Sequence, residues 1–322
     1  MNNLIPALPL VLGFLLDCII GDPYSLPHPI RAIGTMISRL EAFTRAHFRN
    51  LRVGGIFLSL TVLLVSTLLP AGLLCLCYRL HIVLGIFAES ILCCYLLAAR
   101  CLRDESMKVC RAAEAGDTEG ARQAVSMIVG RDTAVLDTSG ILRAAVETVA
   151  ENTSDGVTAP LFYMALGGAV GGFFYKAANT MDSMLGYRNE TYADIGRFSA
   201  RLDDVLNYLP SRLTALLMIG VCPLLRLDAP SAWRIWRRDR RRHASPNSAQ
   251  TESVCAGALH LRLAGDAQYF GEWHHKPYIG DDLRPIEPQD IRRANRLLYG
   301  AAMLMLLLSA GVRIWIWGGI LQ

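Results

Sequence analysis

Apolar residues run along this chain in long blocks, and the blocks rather than any short repeat set its architecture. Residues 4–20, 53–77, 82–99 and 297–321 each approach the ~20 apolar positions needed to cross a hydrocarbon core, which predicts membrane-spanning helices. Two weaker blocks, 157–174 and 205–225, are interrupted by Pro160, Gly167, Gly168, Gly171 and Gly172 in the first and by Pro210 and Arg212 in the second. Both are expected to be broken or re-entrant. The polar stretches 107–127 and 142–150 are rich in Ala, Arg, Glu and Met with apolar residues three and four apart, the spacing of helices. No run alternates β-branched and polar residues, so no sheet is expected. The pattern therefore predicts an all-α, polytopic integral membrane protein. It is read as one domain over 1–322, with a helical loop at 100–156 and a basic loop at 226–296. The first block lacks a basic leader and a small-residue cleavage pattern, and is read as a retained helix.

Composition strengthens this reading. Hydrophobic residues make up 52% of the 322 positions and charged residues only 19%, too apolar for an ordinary soluble domain. The nine cysteines are odd in number and show no C-x-x-C spacing, which indicates neither a disulfide framework nor a zinc site. The net charge of +4 is unevenly distributed. Arg31, Arg39, Arg45, Arg49 and Arg52 follow the first block, and a run from Trp233 to Arg242 precedes the last. Basic loops face the cytoplasm, so both are placed there, as is 100–156. The alternation of tryptophan and arginine in 233–242 also resembles an interfacial helix held by anionic lipid. Membrane lipids are thus expected partners, and nucleic acid is not.

Against this background the segment 141–189 stands out. It carries Glu147, Glu151, Asn152, Asp155, Lys176, Asn179, Asp182 and Arg188 between apolar stretches. Ionisable groups are costly to bury without partners, so a membrane protein that keeps this many uses them. Arg143, Glu147 and Glu151 recur every four residues on one helical face. A solvated face with intrahelical salt bridges accounts for the first two equally well. Glu151 differs, because Asn152 to Gly156 follow at once with many oxygen donors. Magnesium is held by one or two carboxylates plus substrate phosphate oxygens, which such a turn can supply. Lys176, Asn179, Asp182 and Arg188 suit a phosphate held through a metal. The segment Arg201, Asp203, Asp204 and Asn207 is explained as well by a capped helix.

Four ordered motifs then carry a resemblance. They are Gly21-Asp22-Pro23-Tyr24 with Leu26-Pro27-His28-Pro29-Ile30-Arg31, the Glu147–Pro160 segment, Asn179-Thr180-Met181-Asp182-Ser183-Met184 with Gly186-Tyr187, and Ser245-Pro246-Asn247-Ser248. Together they resemble the adenosylcobinamide-phosphate synthase family of cobalamin biosynthesis over nearly the whole chain. The resemblance implies a multi-pass enzyme of the bacterial inner membrane. It would join the free propionate of adenosylcobyric acid to aminopropanol or its phosphate, with ATP as co-substrate and Mg²⁺ as cofactor. The corrinoid and the amine would be substrates, and other enzymes of the pathway possible partners. One departure is visible: after Ser-Pro-Asn-Ser the family continues Gly-aromatic-Pro-Glu, whereas this chain reads Ala249-Gln250-Thr251-Glu252, and His260 stands where glycine is usual.

Set against that chemistry, Glu151, Asp155 and Asp182 are the metal candidates and, with Lys176 and His28, the catalytic ones. Asn152, Asn179, Arg188, Arg31, Ser245, Asn247 and Ser248 are candidates for holding substrate or phosphate. His28 is a candidate base, since an imidazole suits proton transfer near neutral pH, but a turn-capping role between two prolines fits it equally. Two other classes remain: a transporter of a polar or anionic small molecule, for which broken glycine-rich helices are suited, and an enzyme joining alcohols to lipid phosphates, whose second aspartate is replaced here by Asn152.

Overall fold

The computed structural model describes residues 2–22, 27–187, 189–269 and 271–317. In chain order its helices are α1 (Leu8–Ile20), α2 (Pro29–His47), α3 (Leu51–Leu80), α4 (Ile82–Leu96), α5 (Ala99–Glu114), α6 (Thr118–Ser126), α7 (Thr138–Asn152), α8 (Ala159–Leu185), α9 (Arg197–Leu206), α10 (Tyr208–Val221), α11 (Ala229–Asp239), α12 (Ser248–Leu259) and α13 (Gln289–Trp317). Among the described residues, four helical runs are long and apolar enough to cross a membrane: Leu51–Leu80, Ile82–Glu114, Thr138–Leu185 and Gln289–Ile316. The N-terminal block and α10 form shorter apolar helices, Leu4–Ile20 and Tyr208–Val221. The chain is an all-α polytopic membrane protein. Among the described residues its sheet content is two three-residue antiparallel pairs, β1 (Arg262–Ala264) with β4 (Tyr278–Gly280) and β2 (Ala267–Tyr269) with β3 (Glu272–His274). Strands this short leave no alternation to read in the sequence.

Polar side chains fix where the helices start. Asn50 accepts from the amides of Arg52 and Val53, His81 from that of Val83, Asp137 from that of Gly140 and Asp228 from that of Ser231, each satisfying an orphan donor of the first turn. The arginine-bearing stretch after α1, expected as a loop, is the 19-residue amphipathic helix α2, started by His28 and Pro29.

The chain divides into two compact units. The first comprises residues 1–98, 159–207 and 306–322. Helix α3 faces outward through Leu60, Leu64, Leu68, Leu69, Leu73 and Leu76, which are exposed as lipid-facing side chains are. It turns Gly55 toward the segment before α9, where a Cβ would lie 2.1 Å from the Ile195 carbonyl oxygen, so only glycine fits. Helix α8 is broken as its glycines suggest, with non-helical torsions at Gly167 and a positive φ of 60° at Gly168. The break is held by charge. Glu89 accepts from the Ala169 amide at 3.3 Å, from Arg313 at 2.7 Å and from the Tyr78 hydroxyl at 2.5 Å. Arg313 also donates to the carbonyls of Met164 and Pro6, 3.1 and 2.5 Å away. A glutamate and an arginine inside apolar helices are thus fully partnered, the condition for tolerating them there.

The second unit comprises residues 99–158 and 208–305. The helical stretch expected over 107–127 is split at Gly116, whose φ is +74°, and restarted by Asp117 capping α6. Helix α7 is buried at Ile141, Leu142 and 144–150, and a single π-helical turn, Thr153–Thr158, carries the chain onward. Such turns widen the backbone and occur often at functional sites. Helix α11 packs on α12 through Trp236, which donates to Gln250 at 3.0 Å, while Gln250 donates to the carbonyls of Arg240 and Pro246 at 3.1 and 3.2 Å.

Candidate functional site

The candidate residues fall into two polar clusters, described unit by unit. In the second unit, α7 projects Glu147 and Glu151 four residues apart, and neither lies on a solvated face. Glu147 is 3% exposed. It forms an ion pair with Arg131 and accepts from the Ala264 amide at 2.6 Å. The intrahelical pairing with Arg143 expected as the bland reading is absent among the described residues, because Arg131, brought in by the loop before α7, takes the carboxylate first. Glu151 accepts from Ser248 at 2.7 Å. That bond unites a residue of the Glu147–Pro160 motif with the Ser-Pro-Asn-Ser motif, 97 positions further along.

The Ser-Pro-Asn-Ser loop is rigid for identifiable reasons. The Asn247 amide donates to Ser245 at 3.2 Å, and the Ser245 amide donates to the His243 ring at 3.1 Å. The Asn247 side chain accepts from Ser211 and Arg212 at 3.2 and 3.0 Å. Asn247 therefore positions the loop, whereas Ser248 presents its hydroxyl to Glu151. Asp155 lies on the π-helical turn and Asn152 donates to the Thr148 carbonyl at 3.0 Å.

Glu252, retained from the motif, is 5% exposed. Burial, reinforced by Glu151 and Glu147, pushes its carboxyl well above the ordinary carboxylate range. Burial likewise holds His243 below the usual imidazole value, although Glu151 opposes it. These groups, with Arg131 and Lys276, line a cavity of about 20 Å³, room for a single water molecule and not for a nucleotide. Arg131 and Lys276 were not recognisable in the sequence as site residues, because each stands in a stretch without a motif, whereas His243 falls in the 240–248 loop, a candidate for holding phosphate by its sequence.

In the first unit the cluster sits on the last turns of α8 and on α9. Lys176, Asn179 and Asp182 follow one another at three-residue steps on one face. Asn179 donates to Asp203 at 3.3 Å. Asp203 is buried, and burial with the neighbouring Asp182 pushes its pKa up to about 7. A cap alone does not account for it, so this residue joins the site. Alongside lies a cavity of about 220 Å³ lined by Tyr187, Tyr192, Arg197, Arg201 and Asp204. Arg188 lies outside the described residues, as do Pro23, Tyr24 and Leu26 of the first motif.

His28 adopts the capping role. Its Nδ1 accepts from the Ile30 amide at 3.2 Å, its Nε2 meets Asp22 at 3.0 Å and its ring edges onto Tyr95. With both nitrogens engaged, no lone pair points outward for a base. Arg31, on the first turn of α2, is exposed.

Among the described residues no three of His, Cys, Asp and Glu converge in a set able to hold a metal by themselves. Glu151 and Asp155 belong to the second unit and Asp182 to the first. The donors present fit a cation completed by substrate phosphate oxygens, not an all-protein cage.

The family model described as "CobD/Cbib protein" matches residues 10–298. Among curated relatives, a "Cobalamin biosynthesis protein CobD" of Clostridium perfringens is 44% identical, covering 94% of this chain and 97% of the relative. One of Pelobacter propionicus is 48% identical over 93% of both chains. The "Cobalamin biosynthesis protein CbiB" of Salmonella arizonae is 44% identical, covering 95% of this chain and 97% of the relative. No solved structure matches the chain.

Proposed function

The chain belongs to the CobD/CbiB family, and from that premise we propose that it acts in cobalamin biosynthesis, converting adenosylcobyric acid to adenosylcobinamide or its phosphate. The reaction joins the free propionate to the amine of aminopropanol or of its phosphate, and consumes ATP. The observation that supports this reading is the hydrogen bond from Ser248 to Glu151, which joins two of the motifs within the second unit.

A carboxylate is a poor electrophile and must first be activated. In the proposed sequence a propionate oxygen attacks the terminal phosphorus of ATP, and the bond to ADP breaks. The amine nitrogen then attacks the acyl carbon, the carbon–oxygen bond to phosphate breaks, and the amine gives up a proton. Catalysis consists of positioning and of neutralising phosphate charge. Glu151 and Asp155 would hold Mg²⁺ in the second unit, and the ion would supply charge neutralisation on the nucleotide phosphates. Lys176 of the first unit, with Arg197 and Arg201 of the adjoining cavity, suits the phosphate of the amine substrate. Asp182 and Asp203 suit its ammonium, and Asp203, with its pKa near neutrality, is the proton acceptor in place of His28. The arginine-bearing segments α2 and α11 support a multi-pass arrangement in a bacterial inner membrane with the reactive loops cytoplasmic.

The proposal is tested by replacing Glu151 with Gln. Corrinoid-dependent ADP release should fall at least 100-fold, while Arg143→Gln keeps most of it. Equal ADP release by Glu151→Gln and the parent protein would remove Glu151 from the reaction.

A further inference from the structure

A cavity of about 590 Å³ lies in the second unit, apart from the cluster around Glu151. It is lined by α5 through Arg103 and Met107 and by α13 through Arg292, Asn295, Arg296 and Tyr299. On each helix these residues recur at three- and four-residue steps, so they form facing stripes. Its size suits a small-molecule site.

The partners of these side chains are uneven. Arg292 is engaged, donating to Glu114 at 2.5 Å and to the Cys110 sulfur at 3.4 Å. Glu114 also accepts from Gln289 at 3.2 Å, so the nearest carboxylate is already neutralised. Arg103 and Arg296 have exposed side chains, and no carboxylate pairs with either among the described residues. Asn295 is only 5% exposed. Its amide nitrogen donates to Ser106 and to the Ile291 carbonyl, both at 2.9 Å, but its Oδ1 has no donor among the described residues. A buried acceptor left in that state costs free energy until something donates to it.

The cavity thus combines two uncommitted guanidinium groups, which favour phosphate, with one buried acceptor that requires a hydroxyl or N–H. Both helices belong to apolar runs, Ile82–Glu114 and Gln289–Ile316, whose charged residues, apart from the Glu89–Arg313 pair, fall in 100–114 and 290–296. Arg103 and Arg296 lie in those charged segments, the part of a membrane helix suited to meeting lipid headgroups. Basic pockets between membrane helices bind anionic headgroups by this chemistry. We propose that the cavity binds a phosphate ester with an adjacent hydroxyl, in the membrane the headgroup of an anionic phospholipid of the phosphatidylglycerol type. The phosphate lies between Arg103 and Arg296, and the glycerol hydroxyl donates to Asn295.

The full-length protein in detergent is titrated with phosphatidylglycerol, phosphatidylmethanol or phosphatidylcholine, and retained lipid is read by native mass spectrometry. Phosphatidylglycerol should be retained at least tenfold more than phosphatidylcholine, and more than phosphatidylmethanol, which keeps the phosphate and lacks the donor. The exposed pair Arg103→Gln/Arg296→Gln should lose the preference with unchanged thermal unfolding. Excess glycerol phosphate distinguishes the source. Failure to displace the lipid assigns the headgroup, whereas displacement keeps the phosphate site and assigns it to a soluble ester. Equal retention of the three lipids by both proteins, without glycerol phosphate binding, overturns the proposal. Since neither arginine belongs to the clusters assigned to amide formation, that outcome leaves the proposed reaction standing.

Discussion

Replacing Glu147 and Glu252 by glutamine one at a time should give unequal losses, although both carboxyls are buried in the same pocket. Glu147 carries the charge that partners Arg131, whose side chain is only 17% exposed. Breaking one side of a buried pair costs about 3 to 5 kcal/mol. The new amide can still accept from Ala264, so the low end, about 3 kcal/mol, is expected. At roughly 2 to 4 °C per kcal/mol for a unit of this size, the midpoint should fall by roughly 6 to 12 °C. Glu252 is held protonated by burial and its acidic neighbours. Glutamine replaces one neutral group with another of similar shape, so Glu252→Gln should cost under about 1 kcal/mol. The sign of the pH effect follows: a carboxyl whose folded pKa is raised stabilises most below its unfolded pKa and loses that contribution as pH rises toward the folded value. Glu252→Gln should therefore flatten the decline in stability toward alkaline pH. Thermal unfolding in detergent, followed by tryptophan fluorescence from pH 5 to 9, reads both effects. Equal losses, or a larger loss for Glu252→Gln, would refute the assignment of charge within the pocket.

Asp203→Asn should flatten the stability profile between about pH 4 and pH 7, where the raised aspartate otherwise loses its contribution; an unchanged profile in unfolding scans would place the carboxyl in water. Asp155→Asn and Asp182→Asn should each cut turnover at least 100-fold, roughly 3 kcal/mol of barrier, with normal insertion, and added Mg²⁺ should partly rescue Asp155→Asn but not Asp182→Asn, which is assigned to the ammonium; normal turnover would reduce both to structural roles. Arg313→Met strands Glu89 within apolar helices and should lower the unfolding midpoint, with part restored in Glu89→Gln/Arg313→Met; a fully additive double variant would show that the two do not interact. A cysteine at position 248, in a background without native cysteines, should resist an impermeant thiol reagent in intact cells, and ready labelling would reverse the orientation.

The membrane helices were legible because each is a long apolar block, and the break in α8 because Gly167 and Gly168 interrupt one. Helix α2 is hard to see in the sequence because its arginines give the charge pattern of a basic loop and hide a single apolar stripe containing Ile33 and Ile37. Glu151 and Ser248 were each recognised from their motifs, but their bond spans 97 positions, a pairing that only the fold supplies. Arg131 and Lys276 carry no local pattern, so their part in the pocket could not be anticipated, whereas His243 lies in the basic loop that leads into the Ser245–Ser248 motif. The departure at Ala249-Gln250-Thr251 acquires a local explanation, since Gln250 accepts from Trp236 and closes α11 onto α12. Arg238, grouped in the sequence with lipid-facing arginines, is instead bound by Asp239 and Asp281 at 2.7 and 2.6 Å.

The central claim is amide formation driven by ATP, and reconstitution tests it most directly. Purified protein in detergent is given adenosylcobyric acid, Mg-ATP and either aminopropanol or its phosphate, with products resolved by mass and ADP counted in parallel. The account predicts a corrinoid heavier by the amine less one water, formed in step with one ADP and one phosphate, and absent when ATP is withheld. Amide formed without ATP consumption, or ATP consumed with no change in corrinoid mass, would contradict it.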